Sequence, residues 1–275
     1  MRAGTTILWL ICATCAGPRV MADPPAAVAT VGAVGERLAL TGDGSTLSGG
    51  GNGSGGSATW LQQFDSDRVL GIGAEYQEFA NAHWATGTLS GSTGLGLHHL
   101  GSHLYAEVHE GNGAIGAHAF RYSLVAAGLL GSLTPRLSLQ IEERRIDIDT
   151  SHGNLPKAGL SFLVTPRLST TVSYAHSAGG NLGTRLGSLR LDYTRNRFNA
   201  MAGFVQGPAA PAVYDLFRQN VSPGASLTEG YAGLGGTVGR TAWLLTGDYQ
   251  DVSGSRRTTI SLLCNLTLRA YSPSQ

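Results

Sequence analysis

The sequence has few charges, few cysteines and no long hydrophobic run, and each shortage excludes a class of protein. Charged residues make up 13% of the 275 residues and the formal net charge is +1, so no basic face indicates nucleic-acid binding. No apolar run is long enough for a membrane-spanning helix. Glycine, in contrast, is abundant: 40 residues, about twice the share of an ordinary globular protein. High glycine with low charge favours many short strands joined by turns.

The beginning of the chain has the pattern of an export signal. Arg2 supplies a positive charge, and residues 7–17 form an apolar segment too short to span a bilayer. Val20 and Ala22 place small residues where a signal peptidase cleaves, so we predict a signal peptide over residues 1–22. Its removal takes Cys12 and Cys15 away. Only Cys264 then remains, which excludes an intramolecular disulfide framework.

Residues 23–57 are predicted to be a flexible arm followed by a Gly/Ser-rich stretch. That stretch, residues 42–58, is either a linker or a long loop between two strands. The segment GERLALTG, residues 35–42, can supply a first strand ahead of it. The remaining residues, 58–275, are predicted to form one domain.

Apolar and polar residues alternate through most of that domain, which is typical of strands with two different faces. In RLSLQIEER, for example, Leu137, Leu139 and Ile141 share one face, with polar residues between them. The same alternation recurs in residues 157–164, 168–174, 187–193, 198–204, 243–249 and 259–268. No segment has a convincing helical period, so the pattern predicts an all-β fold.

The phrase Thr-Pro-Arg-Leu-Ser occurs twice, beginning at Thr134 and Thr165. Proline fixes φ and cannot donate to a strand ladder, so each copy predicts a tight turn between two strands. Four comparable breaks occur at residues 65–67, 101–102, 195–197 and 239–240. Longer polar connections, at residues 149–156, 176–184 and 206–228, lie between them.

Short turns that alternate with longer loops, and strands of about ten residues, are typical of transmembrane β-barrels. We therefore predict an antiparallel transmembrane β-barrel with short periplasmic turns and longer outer loops. Six turns with both chain ends in the periplasm require fourteen strands if residues 35–42 form a strand. If they do not, twelve strands remain.

In such a barrel the apolar face contacts lipid and the alternate face surrounds a polar lumen, since no backbone group in a bilayer can stay unpaired. The charged residues of the alternate face are the predicted lumen-lining set: Glu75, Glu107, Arg121, Glu142, Arg144, Arg190, Asp192 and Asp248. In a soluble exported β-sandwich the same residues would form the solvated outer face. That fold is the alternative to the barrel.

Aromatic residues near the predicted strand ends favour the membrane interpretation, because transmembrane barrels carry aromatic girdles at both interfaces. The residues concerned are Trp60, Tyr122, Tyr174, Tyr193, Phe198 and Tyr249. With the export signal, they place the predicted barrel in the outer membrane of a Gram-negative bacterium.

The run from LYAEVHEG through PRLSLQIEERRIDIDTSHGNLPKAGLSFLVTPRLSTTVSYAHSAGGNLGTRLGSLRLDY resembles the YaiO-type outer-membrane β-barrels and the related barrel domains of exopolysaccharide exporters. The likeness covers about residues 60–268 and includes GSRRTTISL. It implies an outer-membrane location, a possible connection with polysaccharide-secretion components, and no catalytic residues. It rests on hairpin pattern rather than on a catalytic motif.

Catalytic, metal and cofactor sites receive little support from the sequence. His176 and Ser177 are adjacent, so in a strand their side chains point to opposite faces, unlike the base and nucleophile of a barrel lipid hydrolase. The cluster His98, His99 and His103 straddles a turn without a cysteine or paired carboxylates to complete a zinc site. We expect no enzyme activity, no metal and no cofactor.

The sequence thus predicts an outer-membrane barrel that is a pore or accessory for the passage or export of polar solutes or envelope polysaccharide. The alternative is a non-conducting structural or surface-binding barrel. The expected partners are outer-membrane lipid, lipopolysaccharide and the barrel-assembly machinery, with no nucleic acid.

Overall fold

The computed structural model describes residues 34–48, 51–65, 67–79, 82–95, 102–209 and 225–271. The predicted signal peptide and the arm up to residue 33 lie outside these ranges. The described residues form fourteen strands. They are β1 (Val34–Leu47), β2 (Asn52–Gln63), β3 (Val69–Phe79), β4 (Ala82–Gly94), β5 (His103–Ile115), β6 (His118–Thr134), β7 (Leu137–Ile148), β8 (Ser151–Thr165), β9 (Leu168–His176), β10 (Arg185–Arg195), β11 (Phe198–Ala209), β12 (Ala225–Val238), β13 (Thr241–Val252) and β14 (Ser255–Tyr271).

The sheet closes on itself. Each strand pairs antiparallel with its neighbours in the chain, and β1 also pairs with β14, from Val34 opposite Tyr271 to Leu47 opposite Arg257. Closure leaves no open edge. The predicted closed antiparallel barrel is therefore confirmed, with fourteen strands. No helix among the described residues has the length and apolar character needed to cross a bilayer.

The two ends of the barrel carry different connections. The turn end, as we call it, carries both ends of the described chain and the six connections that begin after β2, β4, β6, β8, β10 and β12. The loop end is the opposite one, with residues 177–184 between β9 and β10. β11 ends and β12 begins at this end, and residues 210–224 between them lie outside the described ranges. All six breaks predicted from the sequence fall at the turn end.

The repeated Thr-Pro-Arg phrase builds the same turn twice. β6 ends at Thr134 and β8 ends at Thr165, and each threonine Oγ1 accepts a 3.2 Å hydrogen bond from the N–H of the arginine two residues later. In both copies the carbonyl of that arginine also accepts a 2.8 Å hydrogen bond. The donor is the backbone N–H of Leu163 on β8 for Arg136 and that of Thr194 on β10 for Arg167. The sequence repeat is therefore a repeat of turn geometry.

A different side chain organises the turn between β2 and β3. The carboxylate of Asp65 accepts hydrogen bonds from the backbone N–H groups of Asp67 and Arg68, at 2.9 and 2.8 Å, and from Nε of Arg68 at 2.6 Å. The hydrogen bond from the Arg68 guanidinium is the main reason that the pKa of Asp65 is lowered. The β2–β3 turn is therefore stabilised by hydrogen bonds to a carboxylate, whereas the Thr-Pro-Arg turns contain a proline.

The Gly/Ser-rich stretch is not a linker or a long loop, which corrects that expectation. Residues 42–47 belong to β1 and residues 52–58 to β2, and the two strands pair from Gly35 opposite Gln63 to Thr46 opposite Asn52. β14 and β3 supply partners on the two outer sides of this hairpin. The backbone of this hairpin is hydrogen-bonded to a neighbouring strand on each outer side. It therefore forms two strands although its side chains show no apolar–polar alternation. The prediction that residues 35–42 lie in a first strand is confirmed.

Two connections at the loop end are also shorter than predicted. Residues 149–156 were expected to form a long connection, but β8 begins at Ser151 and only Asp149 and Thr150 form the turn. Asp149 has a φ of 53°, a conformation that Asp adopts more readily than most residues. The polar residues that follow are strand residues, because their backbone groups pair with β7 and, at Asn154, with Ala178. Of the predicted connection 206–228, residues 206–209 and 225–228 are likewise strand.

The alternation of the sequence separates two faces. Large apolar side chains point outward and are exposed, among them Ile72, Leu89, Ile141, Leu160, Val172, Leu189, Leu234, Leu245, Ile260 and Leu262. Trp60, Tyr174, Phe198 and Tyr249 from the predicted aromatic set are also exposed, whereas Tyr122 is buried inside, which corrects its assignment to a girdle. Most residues between the outward apolar ones are buried.

Gly111 on β5 allows the backbones of β4 and β5 to approach closely. A Cβ at this position would overlap the backbone oxygen of Ala85 on β4. We therefore expect Gly111→Ala to lower the free energy of unfolding by about 1–3 kcal/mol. Gly187 on β10 is a matched control, since a Cβ there meets nothing within 4 Å. Urea unfolding of the folded barrel would compare the two, and equal midpoints would contradict the packing described.

Candidate functional site

Seven of the eight predicted lumen residues lie on the inward face of the closed sheet. Five are buried: Glu75, Glu107, Glu142, Arg190 and Asp248. Arg144 and Asp192 are inward and nearly buried, with side chains 11% and 16% exposed. Their part in any passage of solutes stays a prediction.

Arg121 does not belong with the others, and its assignment is corrected. Its side chain is 76% exposed and lies on the outward face of β6, where Nη2 binds Glu110 at 3.0 Å. On this part of β6 the inward positions are apolar: Phe120, Tyr122 and Leu124 are all buried. The polar residues at the loop end of β6 therefore point outward. Nearer the middle of the barrel the arrangement is the opposite, with polar residues inward and apolar residues outward.

One buried ionic cluster centres on Glu142. Its carboxylate forms an ion pair with Arg144 and accepts a 2.5 Å hydrogen bond from the hydroxyl of Tyr105. Gln140 donates to the same hydroxyl oxygen at 3.1 Å, and Lys157 stands directly across from Glu142 on β8. Three strands, β5, β7 and β8, are therefore joined inside the barrel by charged and hydrogen-bonded side chains.

Other polar contacts continue around the interior. On β10, Arg190 binds Asp192 at 2.5 Å, and Gln250 on β13 donates to Glu229 on β12 at 3.1 Å. His109 lies 3.6 Å from Glu107. Such contacts offset part of the desolvation cost of burying charge, which is large for an unpaired ion.

An apolar cluster fills the interior near the loop end. Its members come from β4 to β13 and include side chains with essentially no exposure: Ile146, Ile148, Leu155, Leu182, Leu186, Val205 and Leu227. Sequence reasoning missed this cluster, because it assigned apolar residues to the lipid face. The available signal was that apolar residues alternate with charged ones at the ends of β7 and β10, as in Ile146-Asp147-Ile148.

The β9–β10 connection closes over this cluster. Leu182 from the connection is completely buried, and a Cβ at Gly153 on β8 would lie 3.0 Å from its Cγ. Asn181 fastens the connection to the β7–β8 hairpin: its Oδ1 accepts from the N–H of His152 at 2.8 Å and its Nδ2 donates to the carbonyl of Thr150 at 2.8 Å. The backbone N–H of Asn181 also donates to His152 at 2.9 Å.

The interior near the turn end has a different lining. Its inward side chains are mostly small hydroxyls and amides that are half-buried, namely Ser90, Ser92, Ser132, Ser138, Gln140, Ser161, Thr171, Asn199, Asn265 and Thr267. A second, smaller apolar cluster lies beside them, formed by Ala39, Leu61, Leu244 and Leu263, and the buried Arg37 donates to Gln63 at 3.1 Å near it. From the loop end to the turn end, most of the interior thus changes from apolar to ionic to uncharged polar.

The described residues contain no group of three or more His, Cys, Asp or Glu side chains placed to hold a metal ion. His103 lies in β5, while His98 and His99 are outside the described ranges. His176 is exposed on the outward face, and the hydroxyl of Ser177 accepts a 2.9 Å bond from the N–H of Thr184. These two side chains thus have separate structural environments.

Comparison with solved structures supports the fold. The chain is similar to CymD, a monoaromatic hydrocarbon channel, with a TM-score of 0.62 and 11% identity over 88% of this chain and 90% of that one. It is similar to the toluene transporter TodX of P. putida, with a TM-score of 0.57 and 9% identity over 86% and 91% of the two chains. The outer membrane protein Omp33 of Acinetobacter baumannii gives a TM-score of 0.52 and 10% identity over 86% and 100%.

No family model matches the chain, and no curated protein matches it in sequence. At these identities the structural likeness concerns the barrel fold. The resemblance to YaiO-type barrels stays a prediction.

The Glu142 cluster gives a testable consequence. Arg144→Met removes the guanidinium and leaves a buried carboxylate with less compensation, so we expect the free energy of unfolding to fall by about 3 kcal/mol. The neighbouring residue is the control: Arg145 points outward and is exposed, so Arg145→Met should change stability by less than about 0.5 kcal/mol. If urea unfolding gave equal losses of stability for the two variants, the stabilising role assigned to the buried Arg144 guanidinium would be contradicted.

Proposed function

We propose that this chain is an outer-membrane channel for small solutes. The observation that carries the proposal is the pairing of an apolar, exposed outer surface with a polar and charged interior in a closed sheet. In water this arrangement would be unfavourable on both faces. In a bilayer the outward leucines contact acyl chains, and closure satisfies the backbone.

Several features support an outer-membrane location. Outward aromatic residues lie near strand ends, and the sequence has the pattern of an export signal. The structurally similar proteins include two named as channel or transporter and one named as an outer membrane protein. The turn end then faces the periplasm and the loop end faces outside.

Charges on the outward face are concentrated at the loop end, which suits the lipopolysaccharide side of the membrane. Glu143, Arg145 and Asp147 alternate outward on the last part of β7, and Arg121 pairs with Glu110 nearby. Lipopolysaccharide head groups are the proposed partners of these side chains. The barrel-assembly machinery is the proposed partner during insertion.

The interior suits controlled rather than open passage. Its outer part is packed around Leu182, and its periplasmic part carries hydroxyl and amide side chains. The connection that carries Leu182 is fastened by the hydrogen bonds of Asn181 and by two backbone hydrogen bonds between Ala178 and Asn154, and it is our candidate for the closing element. If neither this connection nor another part of the barrel lets solutes past the apolar layer, the protein is the non-conducting structural barrel considered above.

An accessory role in polysaccharide secretion is the second candidate. The uncharged hydroxyl and amide lining near the turn end matches the hydrogen-bonding groups of a glycan, and the sequence resemblance to YaiO-type barrels points in the same direction. In that role the chain would act together with polysaccharide-secretion components.

Single-channel recording in planar bilayers tests the channel directly. We expect the natural sequence to open rarely, and Asn181→Ala to raise the open probability at least tenfold because it removes two hydrogen bonds that hold the β9–β10 connection. Asn112→Ala, on the exposed outward face of β5, is the matched control and should leave gating unchanged. Absence of conductance in both the natural sequence and Asn181→Ala would favour the non-conducting barrel.

A further inference from the structure

The wall of the barrel is not uniform, and one hairpin differs from the rest on its inward side. We propose that solutes enter the barrel from the loop end along the β1–β2 hairpin, in a groove that favours small hydrophilic cations over anions. This inference rests on the proposed channel function and deepens it. The β1–β2 groove is defined by six inward residues: Thr41, Asp43, Ser45, Gly53, Gly55 and Ser57.

The groove is accessible where the rest of the same level is packed. Its four side chains, Thr41, Asp43, Ser45 and Ser57, are half-buried, so space for a water molecule adjoins them. Inward side chains across the barrel at the loop end are closed to water: Ile146, Leu155, Leu186, Val205 and Leu227 are at most 1% exposed. A solute that enters at this level meets least obstruction beside β1 and β2. Nearer the turn end the same hairpin is closed to water, since its inward residues are at most 5% exposed: Arg37, Ala39, Thr59, Leu61 and Gln63.

The groove is made of small residues because its neighbours occupy the space above the glycines. A Cβ at Gly55 would overlap the side chain of Gln77, and one at Gly53 would overlap the ring of Phe79. Both side chains come from β3 and are buried. Gln77 also donates to Asp43 at 3.1 Å, which fixes the carboxylate at the side of the groove.

The charges on and beside the groove are mainly negative. Asp43 lies within it, Glu75 stands directly across from Ser57, and Asp248 is two strands away from Ser45 through Thr259. Arg257, opposite Leu47 at the outer end, and Arg37, on the inward face of β1 nearer the turn end, are positive charges on the same side of the barrel. Carboxylates in a narrow, partly desolvated passage raise the local concentration of cations and exclude anions.

The experiment is thiol labelling of single-cysteine barrels in a Cys264→Ala background. Ser45→Cys and Ser57→Cys place thiols in the groove. Ser173→Cys is the matched control, since Ser173 is inward but 3% exposed and hydrogen-bonded to Ser188 at 2.6 Å. Folded barrels, verified by faster gel migration before heating, are treated with a cationic or an anionic methanethiosulfonate of equal size. The extent of labelling is read by mass spectrometry.

We expect both groove thiols to react at least tenfold faster than the Ser173→Cys thiol, and faster with the cationic reagent. Asp43→Asn should reduce the preference for the cationic reagent. Equal rates at all three positions, or a preference for the anionic reagent, would overturn the proposal.

Conductance of the same variants separates this inference from the channel function. Labelling as expected without any conductance would contradict the channel and leave the accessible groove in place. Conductance with an unreactive groove would contradict the groove and leave the channel in place.

Discussion

The pairing of β1 with β14 is the interaction on which the rest of this structure depends. It unites two segments more than 200 positions apart in the chain and turns an open antiparallel sheet into a barrel without edges. Once the sheet is closed, every side chain must point either outward or inward. The chemistry of the two faces then follows from the alternation of the sequence.

Closure also explains why the interior has layers. Side chains from ten strands meet near the loop end, where Leu182 and its neighbours pack as they would in a soluble core. Nearer the middle, ions are buried and must be compensated, as Glu142 is by Arg144 and Tyr105. Close to the turn end the wall is lined mainly by small polar groups, beside a second apolar cluster from β1, β2, β13 and β14. The β1–β2 hairpin lacks the apolar layer, because glycine and serine stand where other strands carry leucine or isoleucine.

Much of the fold could be predicted because strand alternation is local information. Glu142 and Arg144 lie two residues apart and alternate with Leu139 and Ile141, so their common face can be read directly from the sequence. Arg121 was assigned to the wrong face because the inward positions around it on β6 are apolar: Phe120, Tyr122 and Leu124. In the proposed membrane setting this part of β6 stands beyond the apolar band, where the outside is water, so charged residues point outward and apolar ones inward.

Other features depend on contacts that are distant in the sequence. The Gly/Ser stretch has no side-chain pattern, and only the partners on β14 and β3 make it a strand pair. Leu182 lies in a polar connection, and its burial follows from the closed ring of strands beneath it. The ionic contacts between β5, β7 and β8 depend on which residues stand opposite each other in neighbouring strands, and this register cannot be read from the sequence.

The central claim is that the outward face contacts lipid and the inward face does not, and tryptophan fluorescence tests it most directly. Trp60 is outward and 37% exposed, whereas Trp84 is inward and 3% exposed. Variants that keep one of these as the single tryptophan can be reconstituted in phospholipids with brominated acyl chains, which quench on contact. The account predicts strong quenching of Trp60 and little quenching of Trp84. Equal quenching, or stronger quenching of Trp84, would contradict it.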